Sequence, residues 1–442
     1  MNAQFWESAL IVLACVTMLA LLAVLLIRYF LSPFGSVHAG VGRLLTQDCR
    51  PTRRNRSMPP IGEYLLFVLA LFATSRLMFI LLGGVAVCAR TGSSFFDYLR
   101  SLTGHWIQWD ARHYLALAED WYVNTGDERL KLVFYPLYPA VVRAVNLLFR
   151  NTVFSAFLVS NLALIGSGLL LYRVVAQEMG ATGGRRAVFF LMFCPLSFYF
   201  SVPYTESMFL LTTLAAVDFA RRRRWPGALL MGALSALTRS LGLLTAVCIF
   251  YEMMRDAAPP MKGRPVRMLT QPAYLKRMGL SALLCCTVAL GFGAYLLLNY
   301  QVSGDPFRFL EYQSSNWSQE FGSLRYTISY SFENALSFHN EGYRTGVWIP
   351  QLLYLFGVLA ILLACCNRIR PGYGAYALLY TYVAYAPTWL LSGPRYLTAM
   401  FALYPMLAAL SRRRWAFILL AALSLIGCGL MTWQYQYVGC LL

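Results

Sequence analysis

RWPGALLMGALSALTRSLGLLTAVCIFYEMMR, residues 224–255, decides the architecture of this chain. The stretch is largely apolar, carries Arg239 near its middle, and is bounded by Arg221–Arg224 on one side and Arg255 on the other. Basic connectors stay on the cytoplasmic face of a membrane. Both ends therefore belong on that face, and the chain must go out and return in about 28 residues. Two half-length helices hinged near Arg239 satisfy this. Each is about 20 Å long at about 1.5 Å per residue, short of the ~30 Å hydrocarbon core. The apex then faces a cavity at membrane depth rather than lipid. A single crossing of 226–253 is the competing reading, and it would put the basic 255–277 segment outside.

The same logic extends outward. The 442 residues are 59% hydrophobic and only 13% charged, which marks an all-α polytopic membrane protein. Clear spans are 9–31, 62–87, 152–178, 278–300, 346–366, 372–391 and 415–436, and harder ones are 187–220, 226–253 and 395–411. The run from Leu10 to Leu31 lacks a basic leader and a cleavage site, so it reads as a retained helix. Arg43, Arg50, Arg53, Arg54 and Arg56, then Arg185–Arg186, Arg221–Arg224, 255–277, Arg368 with Arg370, and Arg412–Arg414 mark the cytoplasmic side. Between Arg186 and Arg221 the chain again goes out and back, turning near Pro203. The net charge of +18 is thus a topology signal, and nucleic acid is not an expected partner. The eleven cysteines show no metal or redox spacing. Lysine occurs at only Lys131, Lys262 and Lys276, and the arginine bias points to a GC-rich genome.

This topology gathers the costly polar residues on the opposite face: the first large loop, 88–130, the turn Pro203-Tyr204-Thr205-Glu206, Arg239, the loop 302–345, and Gly393-Pro394-Arg395-Tyr396. Asp110 stands alone between Trp106, Trp109 and the following helix, where it suits a general base, although Asp also suits a helix N-cap. In a helix starting near Trp109, His113 and Tyr114 share its face. Glu119 and Asp120 read as the watery face of an interfacial helix. Charges at bilayer depth cost about 2.5–3.5 kcal/mol on insertion scales, so Glu206 and Arg239 pair or line a cavity. A guanidinium grips phosphate with two parallel hydrogen bonds, which suits Arg239 and Arg395. Tyr135, in Phe134-Tyr135-Pro136, is an interfacial ring or a sugar-stacking one. His105, His113 and His339 match no ligand spacing, so no metal is expected.

Trp109-Asp110-Ala111-Arg112-His113-Tyr114, Phe134-Tyr135-Pro136, Ser201-Val202-Pro203-Tyr204-Thr205-Glu206-Ser207, Ala236-Leu237-Thr238-Arg239-Ser240-Leu241-Gly242 and Pro394-Arg395-Tyr396 together resemble the GPI mannosyltransferase 2 (phosphatidylinositol-glycan class V) type. The resemblance implies a GT-C-like bundle of about 11–13 transmembrane helices, several short or broken. It implies an inverting transfer of a hexose, commonly mannose, from a polyprenyl- or dolichyl-phosphate sugar to a lipid or glycan acceptor. Asp110 falls at the position of the catalytic carboxylate. No cofactor is then needed, since the donor is a substrate. The expected divisions are an extra helix with a basic linker at 1–61, a catalytic membrane domain at 62–411 and a last helix at 412–442. The loop lacks the Asp-x-Asp pair of metal-dependent nucleotide-sugar enzymes, and 1–61 has no counterpart. A bacterial plasma membrane is the expected location, or the endoplasmic reticulum in a eukaryote. The alternative is a transporter or flippase of lipid-linked sugars, which calls for related halves and broken helices in matching positions.

Overall fold

The computed structural model describes residues 3–32, 61–258 and 270–439. Arg43, Arg50, Arg53, Arg54, Arg56 and Lys262 lie outside them. Among the described residues the protein is all-α, with no strand. Helices α1 (Ala3–Leu31) and α2 (Ile61–Thr91) lead to a surface helix α3 (Asp110–Asp120), then α4 (Leu137–Phe149) and α5 (Thr152–Met192). Short helices α6 (Glu206–Arg221), α7 (Trp225–Thr238) and α8 (Thr245–Ala257) follow. Next come α9 (Pro272–Cys285) and α10 (Ala289–Ser303), and on the surface α11 (Arg308–Trp317) and α12 (Leu324–Ser337). The chain closes with α13 (Ile349–Cys365), α14 (Pro371–Ala384), α15 (Gly393–Ala399), α16 (Leu403–Leu410) and α17 (Arg414–Trp433).

Among the described residues six helical runs are long and apolar enough to cross a membrane: Gln4–Leu31, Ile61–Thr91, Thr152–Met192, Pro272–Ser303, Glu341–Cys365 and Arg414–Val438. The further passes that the arginine spacing requires fall on shorter helices. The expected span 372–391 is helical only over Pro371–Ala384, and 395–411 divides into α15 and α16. These pieces are largely buried by their neighbours. Lipid therefore does not set their length.

The hairpin of 224–255 is present. α7 ends at Thr238, Arg239 is extended (φ −161°, ψ 149°), and a 3-10 turn over Ser240–Leu244 leads into α8. Arg223 Nε lies 2.7 Å from Asp256 Oδ1, so the stretch begins and ends at one face. A single helix would hold those two residues about 50 Å apart. Close approach is built in by glycine. A Cβ on Gly242 would stand 2.2 Å from the Ser235 carbonyl, and one on Gly291 of α10 would stand 1.8 Å from the Ala233 oxygen. Lipid tails are as apolar as leucine, so small residues and interhelical hydrogen bonds drive such packing. Tyr29 donates to the Val247 carbonyl (2.6 Å) and Tyr295 to that of Leu132 (2.7 Å).

α5 has 41 residues, about 60 Å if straight. Gly180, with φ 77° and ψ 175°, breaks it, and Gly184 comes to rest against Tyr172. The chain thus folds back before Arg185, rises to the turn around Pro203 and descends as α6.

Candidate active site

The two ends of the bundle differ chemically. At one end Glu178 is shared by Arg221 and Arg370, Arg370 also pairs with Glu252, and Asp218 holds Arg173 and Arg222. At the other end lie the Asp110 loop, the apex of the hairpin, the head of α6 and the head of α15.

There, four side chains from four segments form one ionic chain. Arg395 Nη2 donates to Asp110 Oδ2 at 2.8 Å. Arg395 Nε stands 3.2 Å from Glu206 Oε1, and Arg239 Nη2 donates to the same oxygen at 2.7 Å. Glu206 and Arg395 are buried, and Arg239 is 12% exposed. Asp110 is the open member, at 29%. The chain is formally neutral, which offsets the cost of holding charge at this depth. Three atoms in it stay buried without a hydrogen bond: Arg239 Nη1 and Arg395 Nε, both donors, and Glu206 Oε2, an acceptor.

Local structure explains each placement. Trp109, not Asp110, holds the cap position of α3, and Asp110 opens the first turn. Its carboxylate is therefore not consumed by capping. Glu206 opens α6 after the Pro203 turn, and Arg239 is the extended residue at the hairpin apex. Gly393 presses on Gln351 Oε1 and on the Tyr385 ring, where a Cβ would stand 2.2 Å and 2.7 Å away. That close approach seats the head of α15 and Arg395 with it.

A tyrosine box encloses the charges. Arg395 lies over Tyr204 at 5.0 Å, Tyr199 at 5.5 Å and Tyr396 at 5.5 Å, and Arg239 lies over Tyr396 at 4.8 Å. Tyr114 packs on Tyr204, Tyr138 and Phe134 beside them. His113 stacks on Phe134 at 5.1 Å. Desolvation holds the His113 imidazole below its ordinary value, and the nearby Asp110 charge works in the opposite direction. Tyr135 sits apart from the charges. It stacks on Tyr295 at 4.1 Å, and its hydroxyl faces Ser240, next to Arg239. His105 bonds Ser101, away from the chain of charges. Among the described residues no three His, Cys, Asp or Glu side chains gather as a metal site.

Sequence reasoning missed Tyr199, Tyr435 and Arg76. Tyr435 stacks on Trp106 and donates to its carbonyl, bracing the loop before Asp110. Arg76, deep in α2, donates to the carbonyls of Met192 and Ser197 and to the hydroxyls of Ser197 and Ser201. It fixes the turn that delivers Glu206. Its only advance signal was a lone arginine inside an apolar span.

Fold and site together define a multi-pass membrane protein with a buried ionic chain opening at one face. A stretch of 166 residues, 36% of the chain, is 30% identical to GPI mannosyltransferase 2 of Schizosaccharomyces pombe (strain 972). The match spans 33% of that protein, so the chain covers about a third of the length of the curated relative. No protein-family model matches the chain.

Proposed function

We propose that this protein is a membrane glycosyltransferase. It moves a hexose, mannose in the first instance, from a polyprenyl- or dolichyl-phosphate sugar to a lipid or glycan acceptor on the face where Asp110 lies, with inversion. The observation that carries this reading is the ionic chain Asp110–Arg395–Glu206–Arg239. It sets an open carboxylate against the buried Arg395 and links it through Glu206 to the part-buried Arg239. The likeness to a mannosyltransferase supports the same chemistry.

In this mechanism the donor's lipid tail stays in the bilayer and its phosphate meets Arg239, whose Nη1 has no partner, and Arg395. An acceptor hydroxyl approaches the half-open Asp110. Its proton passes to the Asp110 oxygen that Arg395 does not hold. The hydroxyl oxygen bonds to the anomeric carbon as the carbon–oxygen bond to phosphate breaks. The electron pair leaves with the lipid phosphate, whose growing charge the arginines stabilise. Glu206 keeps both arginines oriented. His113 and Tyr114 line the approach, and Tyr135 is a wall ring. The proposed location is a bacterial plasma membrane, or the endoplasmic reticulum of a eukaryote.

The test incubates purified protein in lipid nanodiscs with labelled polyprenyl-phosphate mannose and a membrane lipid extract. Labelled acceptor is expected, and Asp110→Asn should slow its formation about 100-fold or more, the usual share of a general base. Wild-type turnover by Asp110→Asn would remove the base assignment. Translocation of the donor across vesicles without transfer would make the protein a carrier.

A further inference from the structure

Trp109 is the aromatic residue next to the open carboxylate, and among the described residues its ring stacks on no other aromatic ring. Its φ of 51° with ψ −126° is a conformation that residues with a Cβ rarely adopt. Hydrogen bonds clamp the backbone on both sides. The Gln108 carbonyl accepts from Tyr204 at 2.9 Å, and the Trp109 carbonyl accepts from the Arg112 amide at 3.2 Å. Tyr204 is the ring beneath Arg395, so the clamp reaches the ionic chain. Around that chain Tyr114, Phe134, Tyr199, Tyr204 and Tyr435 pack ring on ring. The Trp109 indole joins none of these pairs and is 38% exposed.

Glycine would occupy this backbone at ease. A bulky residue held there against its preference is a feature of ligand clamps. Asp110 is reachable from the exposed side, since Arg395 and Glu206 close the buried one. The geometry points to Trp109 as the platform for the acceptor's sugar ring, the flat indole lying against the C–H face of a pyranose while one ring hydroxyl meets Asp110. The acceptor is then a glycan or glycolipid ending in a pyranose ring, not a plain lipid alcohol. This rests on the transferase reading of the site.

The test uses wild type, Trp109→Phe, Trp109→Leu, Trp109→Gly and Trp121→Gly in lipid nanodiscs. Binding of hexyl mannoside, hexyl glucoside and hexyl galactoside is measured by saturation-transfer NMR, with hexanol as the tail-only control and a thermal midpoint for each variant. Wild type and Trp109→Phe are expected to bind at least one glycoside and not hexanol. Trp109→Leu and Trp109→Gly are expected to lose at least ten-fold in affinity, with the midpoint of the glycine variant unchanged or raised. Trp121→Gly relieves a similar strain (φ 66°) at the far end of α3 and should bind as wild type does. Full binding by Trp109→Leu would overturn the platform and leave an interfacial anchor. So would a wild type that binds none of the glycosides, or binds hexanol equally. Ring-dependent glycoside binding without hexose transfer from polyprenyl-phosphate mannose would uphold the platform and sink the transferase reading.

Discussion

Arg395 holds two carboxylates with two different nitrogens, Nη2 on Asp110 and Nε near Glu206. That fork explains why an arginine is needed. Lysine brings the same charge as a single point and cannot hold both acids in one plane. Arg395→Lys is expected to fold, with stability reduced by about 1–3 kcal/mol for a lost charged hydrogen bond, and to transfer at least ten-fold more slowly. Initial rates beside a thermal scan would check this, and an unchanged rate would remove Arg395 from the machinery. Trp109 shows the same priority. A bulky residue in its backbone region costs about 1–3 kcal/mol, and what separates it from the similarly strained Trp121 is its place beside Asp110. His113 has a pH signature. Burial lowers its proton affinity, so above about pH 6.5 neither the folded nor the unfolded chain holds the extra proton. As pH falls through that value, the unfolded chain takes up a proton that the folded one resists, and stability declines. The thermal midpoint should drop between pH 7 and pH 5, and drop less in His113→Gln.

At the scale of elements, the hairpin α7–α8 places Arg239. It works because α10 meets α7 at Gly291 and the 3-10 turn meets α7 at Gly242. Gly291→Ala and Gly242→Ala each put a methyl into a backbone carbonyl, where overpacking costs about 1–3 kcal/mol or more. Both should lower the thermal midpoint and, by shifting Arg239, the rate. Gly293→Ala, with nothing within 4 Å of its Cβ, is the control and should be close to neutral. The turn before α6 depends on Arg76. Arg76→Leu leaves the Met192 and Ser197 carbonyls with fewer donors deep in the bundle. A loss of about 1–3 kcal/mol is expected for buried acceptors left without their donor, visible as reduced recovery of folded protein from detergent. Recovery equal to wild type would mean that the turn stands without it.

At the scale of the whole molecule, the organising feature is a division of charge between two ends. Clustered arginines and their acids tie the helix ends at one face, and a sparse neutral chain opens at the other. Cysteine substitutions at Ser337 and at Arg412 should therefore react with an impermeant thiol reagent from opposite sides of sealed vesicles. Labelling of both from one side would undo the topology.

Much of this was legible beforehand. Arginine spacing forced the hairpin of 224–255, because a charged loop cannot cross a bilayer cheaply and parity then leaves few solutions. The same logic singled out Glu206 and Arg239, since an ionisable group at bilayer depth must be paired or used, while Asp110 stood out as a lone acid among tryptophans and Arg395 by its place after Gly393-Pro394. The sequence alone could not say who pairs with whom. Asp110 and Arg395 stand 285 positions apart, and only the folded bundle makes Glu206 the link between two arginines. Nor could it single out Tyr199 and Tyr435, since a tyrosine in an apolar run reads the same whether it faces lipid or an arginine. The backbone of Trp109 was equally hidden, because part of its clamp is the bond from Tyr204 to the Gln108 carbonyl, which comes from far along the chain. Composition and charge spacing set the passes across the membrane, because bilayer energetics act on each segment separately. Partner choice within the site belonged to tertiary structure, because pairing energies depend on distance and burial that only packing supplies.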